Sequence, residues 1–571
     1  MVPGVTRGRR VEFTSEHPVE GELEGHPLFD DEQCVHERDH PLVAEVVAQL
    51  HRLRVGQRSD VDDVLLGEGQ GRALERRQVC SGRPSAQLGA PSVGQRIDGR
   101  CVAQQHAEPV AAQGQDVGVA RLPCATMGGV ERNEGIRPVE TRCEFHGSIV
   151  RPGLRYVRSV GPVDYNPFGD DVLADPFPAY AEMRTRCPVH RFEAFDPPFF
   201  TVTRHADVTT MLRDWQTWSS HYGQSPRFSV TGCLFSDPPE HTMYRRIVQQ
   251  GFTPRVVERM EADIVRLTDE LIDAMLRRPA RQADLHDDLA CPLPVLVIAN
   301  VLGVPTGQIA QFKEWSDRQV EAMGSQDPDA AAENRAQIDA FFTGQLNERR
   351  AALGAAGLAV DQWSEELLGD VISDDVMSGL LVASVDGRRL TDPELLNILQ
   401  QLLVGGNETT TSLITNLFWR LLDRPALYAQ LLERPDLDAV AVEESLRFDA
   451  PVLGLYRTAT REVELHGVTI PEKSKTMATY GAANRDPDAF DDPDTFRLDR
   501  DLDELRRTHL AFGLGRHFCP GAHLSRMEAR TMLRRVLDRI PDLRLDGPTT
   551  RIPTFLLWGR RSLPVAWGER S

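Results

Sequence analysis

Lysine is almost missing from this chain. Its 571 residues carry 65 lysines and arginines, yet only Lys313, Lys473 and Lys475 are lysines. Such a bias reads as the usage of a GC-rich genome, not as an arginine-specific function. Positive charge as a whole is also short. The 85 acidic residues leave a formal net charge of −20, which argues against general nucleic-acid binding. Long apolar runs are absent. The longest, around Pro292 to Val304, falls short of the ~20 residues that a membrane span needs. Arg7, Arg9 and Arg10 are followed by no apolar stretch of the kind a secretory signal has. The nine cysteines form no C-x-x-C pair, so zinc-ribbon and thioredoxin-like chemistries are excluded. The expectation is a cytoplasmic protein with no membrane anchor and no nucleic-acid partner. Hydrophobic residues make up 41%, enough for a sizeable core. Length alone would allow two to four domains, or one large one.

Residues 1–160 lack a sustained period of two or 3.6. They read as a low-complexity or disordered extension, although Pro41 to Arg54 could be helical. Two alternatives stay open: an extra domain without a known pattern, or a true start further downstream. From about Asp164 the texture changes to punctuated helix and strand. A helix bearing Met183 follows Asp175-Pro176, a strand is expected over Phe199–Arg204, and a short helix over Asp207–Leu212. Ser236 to Glu240 is turn chemistry that opens a helix, where His241 and Arg245 share a face at i and i+4. Between Gly324 and Asp386 the pattern is acidic and helical, with no chemistry to assign.

The spacing predicts one long helix over Thr391–Asp423. Thr391 and Glu394 form a capping box at its start, and Pro425 marks its end. In its middle stands Gly405-Gly406-Asn407-Glu408-Thr409-Thr410. Two interior glycines cost up to ~1 kcal/mol each against alanine, and a buried acid costs more unless paired or hydrated. Losses of this kind mark a site. Past it, Glu444 and Arg447 lie at i and i+3 on a helix running from about Asp436 to Phe448.

The richest stretch is Phe512-Gly-Leu-Gly-Arg-His-Phe-Cys-Pro-Gly521. Cys519 sits in a glycine-bent loop directly before a helical pattern from Ala522. Amide N–H groups and the positive end of a helix dipole both favour a thiolate there. A dinucleotide-binding loop fits less well, because Phe518 stands where the third glycine belongs.

This stretch resembles the haem-binding loop of the cytochrome P450 family, F-G-x-G-x-H/R-x-C-x-G. Phe512, Gly513, Gly515, His517, Cys519 and Gly521 meet every fixed position. The run Gly405 to Thr410 resembles that family's oxygen-binding groove, and Glu444-x-x-Arg447 with Arg500 resembles its E-x-x-R network. The likeness covers about 400 residues, to the C-terminus. It implies a mainly α fold with a small β portion, the cytochrome P450 fold, over residues 161–571. The implied cofactor is haem b with Cys519 as the iron ligand. It is held non-covalently, since C-x-x-C-H is absent. Phe512, Gly513 and Gly521 would line it, and His241, Arg245, Arg457 and His517 would meet its propionates. Thr409 and Glu408 are the implied proton-delivering residues. The expected pocket is apolar, with Leu402, Gly406, Val452, Leu453, Leu455, Phe555 and Leu556 as candidate lining.

The resemblance implies a monooxygenase that inserts one oxygen atom of O2 into a small apolar substrate. Electrons would come from a separate ferredoxin and ferredoxin reductase, since only about 50 residues follow Cys519. Arg245, Arg246, Arg516, Arg526 and Arg530 are the basic residues expected near the loop. Two other readings keep the same cofactor: a peroxide-driven enzyme, and a non-catalytic haem-binding sensor or carrier. The Glu408-Thr409 pair argues against both.

Overall fold

The computed structural model describes Val43, Val47 and residues 163–568, apart from 231, 325–331 and 386. The rest of the segment read as an extension lies outside the described residues. Val43 and Val47 are helical and buried, and they belong to the main apolar cluster. Their i and i+4 spacing puts both on one face.

Extended residues build a five-stranded sheet from β1 (Val189–Phe192), β2 (Phe199–Val202), β3 (Trp218–Ser219), β4 (Leu455–Ala459) and β5 (Lys475–Ala478). The order is β1-β2-β5-β4-β3. Only the β2–β5 pair is parallel. β2 and β5 are buried throughout, as strands covered on both faces must be. Arg457 lies opposite Thr476 in the β4–β5 pair.

Helices make up most of the rest. Those that shape the site are α1 (Glu240–Gln250), α2 (Pro292–Leu302), α3 (Ile309–Gly324) and α4 (Ala332–Ala355). They are joined by α5 (Asp392–Gly406), α6 (Glu408–Asp423), α7 (Asp438–Phe448) and α8 (Ala522–Arg539). α2 is apolar on all sides, and all of it but Asn300 is buried; a helix without a polar face belongs in the core. Gly303 ends it in the left-handed conformation at φ +75°.

α5 opens with the expected capping box: Thr391 N and Oγ1 both donate to Glu394. The long helix does not run unbroken to Asp423. Asn407, at φ −97° and ψ −79°, separates α5 from α6. The ladder breaks where two glycines and a buried acid weaken it, and the Thr409 hydroxyl donates instead to the Gly405 carbonyl at 2.9 Å. Along α6, Leu413, Ile414, Leu417, Phe418 and Leu421 are fully buried, each contributing about 2 kcal/mol by area. The stretch from 356 to 375, read as helical, is mostly turns and short 3-10 segments. Among the described residues no helix is long and apolar enough to cross a membrane.

Candidate active site

Cys519 is set by its loop. Gly513 and Gly515 take φ of +68° and +74°, which side chains resist. At Gly515 a Cβ would also lie 2.7 Å from the Leu212 carbonyl oxygen. The Cys519 N–H donates to Phe512 O at 3.0 Å. This turns Cys519, at the mouth of α8, into a cavity of about 690 Å³. Gly521 N–H bonds the sulfur, whereas Pro520 has no N–H to offer. Burial raises the thiol above its ordinary value, outweighing the Gly521 amide and the guanidiniums of Arg245 and Arg526. The loop alone therefore does not secure the expected thiolate; a bound metal ion would deprotonate the thiol outright.

Basic groups crowd the same cavity. His241 and Arg245 project from α1, Arg457 from β4, and His517 from the loop. The two imidazole rings lie 4.1 Å apart. His517 Nδ1 meets Leu234 O at 3.2 Å, but its Nε2 is buried without a partner. Burial and the nearby Arg457 and His241 push His517 far down, to about 2. Burial and Arg245 likewise push His241 to about 4. Arg457 donates to Tyr456 O and reaches the Tyr480 hydroxyl. A knot of mutually repelling bases with an orphaned ring nitrogen calls for an anionic group. Haem fits on both counts: two propionates would meet the bases and a sulfur would meet its iron. Phe512, Gly513 and Gly521 line the same cavity.

Glu408, Thr409 and Gly406 line the same cavity from the α5–α6 break. Gly405 borders open space, whereas a Cβ on Gly406 would lie 2.8 Å from Ile298. Glu408 is buried, with Oε2 3.6 Å from Lys313 Nζ and Oε1 without a partner. Its carboxyl is raised by burial, while Lys313 opposes the shift. Lys313 also pairs with Asp317, which lies 3.9 Å from Arg561. Lys313 was missed from the sequence, although a buried lysine at i, i+4 to an acid, in a chain with three lysines, was a readable signal. Asn407 buries both amide atoms unpartnered, and so does Glu528 its Oε2. Burial alone holds Glu528 well above the carboxylate range.

Glu444, Arg447 and Arg500 come together behind the loop. Arg447 donates to both Glu444 oxygens at 2.7 Å, and Arg500 Nε adds 3.1 Å to Oε1. A second cluster, not foreseen, joins Glu443 to His509, Arg506 and Arg526. His509 and Arg526 hold the Glu443 carboxyl down near 2 in spite of burial. Arg526 therefore faces inward, over the Phe512 ring at 4.5 Å.

Leu402, Gly406, Val452, Leu455 and Leu556 line the cavity as expected. Leu453 and Phe555 do not. They pack into a separate cluster with Phe177, Tyr180 and Phe199. The backbone alternates here: Val452 bridges Leu557 and faces the cavity, so Leu453 turns away. The lining is also less apolar than expected. Gln319, Arg335, Asn397, Gln400 and Gln401 form part of it.

The family model for Cytochrome P450 matches residues 179–541. The monooxygenase PikC of Streptomyces venezuelae is 35% identical over 417 residues, covering 71% of this chain and 94% of that protein. Erythromycin C-12 hydroxylase of Saccharopolyspora erythraea is 36% identical, covering 64% and 89%. Among solved structures, cytochrome P450 PksS of Bacillus subtilis superposes with a TM-score of 0.62 at 28% identity, covering 71% of this chain and all of that one. CYP109E1 of Bacillus megaterium, solved with testosterone, gives 0.59 at 31% identity and covers 69% of this chain and all of that one. With the cysteine loop, the broken helix and these likenesses together, the chain belongs to the cytochrome P450 family of haem-thiolate monooxygenases.

Proposed function

We propose that residues 161–571 form a haem b domain that hydroxylates a largely apolar substrate, with electrons from a ferredoxin and its reductase. What carries this reading is one cavity that holds both the Cys519 sulfur within a knot of bases and the Glu408–Thr409 pair at a helix break. Cys519 would ligate the iron, and Arg457, His241, Arg245 and His517 would neutralise the propionates in charge-assisted bonds. When bound, the haem would supply the site of O2 reduction, and a Cys519 thiolate ligand would favour O–O cleavage. The balance needs two electrons and two protons for each O2, with one oxygen leaving as water. Thr409, tied to Gly405, would hold a proton at Oγ1 facing the cavity. Glu408 would resupply it from the Lys313–Asp317–Arg561 chain, which ends at a partly exposed arginine. The other segment, residues 1–160, remains an extension in this reading. Among the described residues, Cys187, Cys233, Cys291 and Cys519 form no disulfide with one another.

Thr409→Ala tests the proton path. The variant should still take up haem and bind substrate, but consume reductant with several-fold less product and release peroxide. Coupling equal to wild type would remove Thr409 from the path. Peroxide alone sustaining turnover at the rate of the ferredoxin system would favour the peroxide-driven alternative.

The donor should be acidic. Near the loop, Arg246, Arg516 and Arg530 are exposed, and Phe518 shows 37% of its surface. Arg526 and the cavity-lining Arg245 are withdrawn from the set expected there. A basic patch around an apolar residue steers an acidic partner even on a chain of −20. The rate of first reduction should fall as salt is raised, and Arg516→Glu should lower it several-fold. Rates indifferent to both changes would exclude this face.

A further inference from the structure

One cavity wall, far in sequence from the cysteine loop, is polar. It forms where α3, α4 and α5 pack together. Gln400 Nε2 donates to Asp339 Oδ1 at 2.5 Å, and the same carboxylate lies 3.9 Å from Arg335 Nε. Asn334, next to Arg335, reaches Gln319 Oε1 at 3.5 Å. So Arg335 and Gln400 meet at Asp339, Gln319 is bonded to the neighbouring Asn334, and Gln319, Arg335 and Gln400 all line the cavity. Asp339 stands behind them and is not part of the lining.

The charge of the lining is one-sided. Away from the haem slot it carries Arg335 and Arg227, with amides from Gln224, Asn397 and Gln401. Among the described residues the only carboxyl side chains lining the cavity are Glu408 and Glu528. Glu408 is paired with Lys313, and burial raises the Glu528 carboxyl well above the carboxylate range. The remaining walls are apolar: Ile298, Val452, Leu455 and Leu556. A wall that carries an arginine and amides beside apolar walls discriminates by charge, though modestly, since the Arg335 side chain is 44% exposed and water screens it.

We propose that this pocket takes a substrate with a carboxylate at one end and an apolar body, and that Arg335, backed by Gln400 and Gln319, holds the carboxylate. The proposal rests on the monooxygenase reading above and names its substrate class. Gln400 lies six residues before the end of α5 at Gly406, about 9 Å along helical backbone at ~1.5 Å per residue, and Thr409 lies beyond the break at Asn407. Oxidation should therefore fall toward the far end of the body, not beside the carboxylate. Primary amines are disfavoured, since Arg335 would repel them and, among the described residues, Glu408, paired with Lys313, and Glu528 are the only carboxyl groups of the lining.

The test uses the haem-loaded full chain and a matched set: dodecanoate, methyl dodecanoate, dodecanol and dodecylamine. Binding is read from the Soret spin-state change and, independently, by isothermal titration calorimetry. Dodecanoate should bind about tenfold more tightly than the ester and the alcohol, a modest factor because Arg335 is partly exposed. Dodecylamine should be weakest. Arg335→Gln should erase the preference and leave the ester within about twofold, and Arg335→Lys should restore part of it, since it keeps the charge. Equal binding of acid and ester overturns the proposal. So does an amine that binds best, failure of all four to bind, or an Arg335→Gln variant that weakens acid and ester alike. The ferrous–carbonyl spectrum of the same sample separates the two levels. With a thiolate spectrum and no preference for the acid, only the substrate class falls; without a thiolate spectrum, the haem-thiolate reading falls first.

Discussion

Cys519→Ser is expected to remove the red-shifted ferrous–carbonyl Soret band near ~450 nm completely, and monooxygenase turnover with it. The band depends on an anionic sulfur ligand to the iron. Among the described residues, Cys519 is the only cysteine that lines the cavity. Serine keeps the size and nearly the shape of the side chain, but its hydroxyl does not ionise at neutral pH and gives iron no thiolate. The loop should survive, because its geometry rests on Gly513, Gly515 and the Cys519 N–H bond to Phe512 O, none of which uses the sulfur. Cys291 is the control: it is buried near Glu408 and Lys313 but outside the lining. Cys291→Ser should leave the band in place. A band that persists in Cys519→Ser would place the ligand elsewhere and remove the basis of the proposed function.

What could be read from the sequence was chemistry confined to short windows. The cysteine loop, the Gly-Gly-x-Glu-Thr run and the Glu-x-x-Arg pair each hold their residues within one or two turns, where spacing fixes geometry. The kink at Asn407 was half visible: the two glycines and the acid flagged a cost, but not that the helix pays it by breaking. Val452 and Leu453 differ only in strand phase, which a one-residue error inverts. The polar wall could not be read at all. Gln319, Arg335 and Gln400 come from three helices, and nothing local distinguishes them from solvated polar residues. Glu443 and Glu444 are adjacent, yet they serve separate networks. The sequence singles out Glu444 by its spacing to Arg447, whereas the partners of Glu443 lie more than 60 residues away.

Arg447→Ala should be the most destabilising single change in the protein. Arg447 is fully buried, and its guanidinium donates to Glu444 Oε1 and Oε2 and to the carbonyls of Asn484, Pro493 and Thr495. Alanine leaves those carbonyls short of a donor and Glu444 with less than its full complement of bonds. Removing one partner of a buried pair costs roughly 3–5 kcal/mol. The Arg500 guanidinium and the Arg497 N–H remain on Glu444 Oε1, so the lower part of that range applies. The damage should reach the haem loop by a short path. Asn484 O accepts from Arg447, Asn484 Oδ1 accepts from Leu510 N, and Leu510 O accepts from Gly513 N. Haem content should thus fall together with stability. Arg447→Lys should rescue little, because one ammonium offers three donors where five bonds are made. The comparison is Arg506→Ala, whose side chain is 44% exposed and sits 3.2 Å from Glu443; a partly exposed pair of that kind is worth about 1 kcal/mol or less. Urea titrations with haem quantified in each fraction would separate the two. If Arg447→Ala unfolds at the same urea concentration as Arg506→Ala and keeps its haem, the network is not what holds the loop. The rigidity of Cys519 would then have to come from the glycine turns and the Glu443 cluster alone.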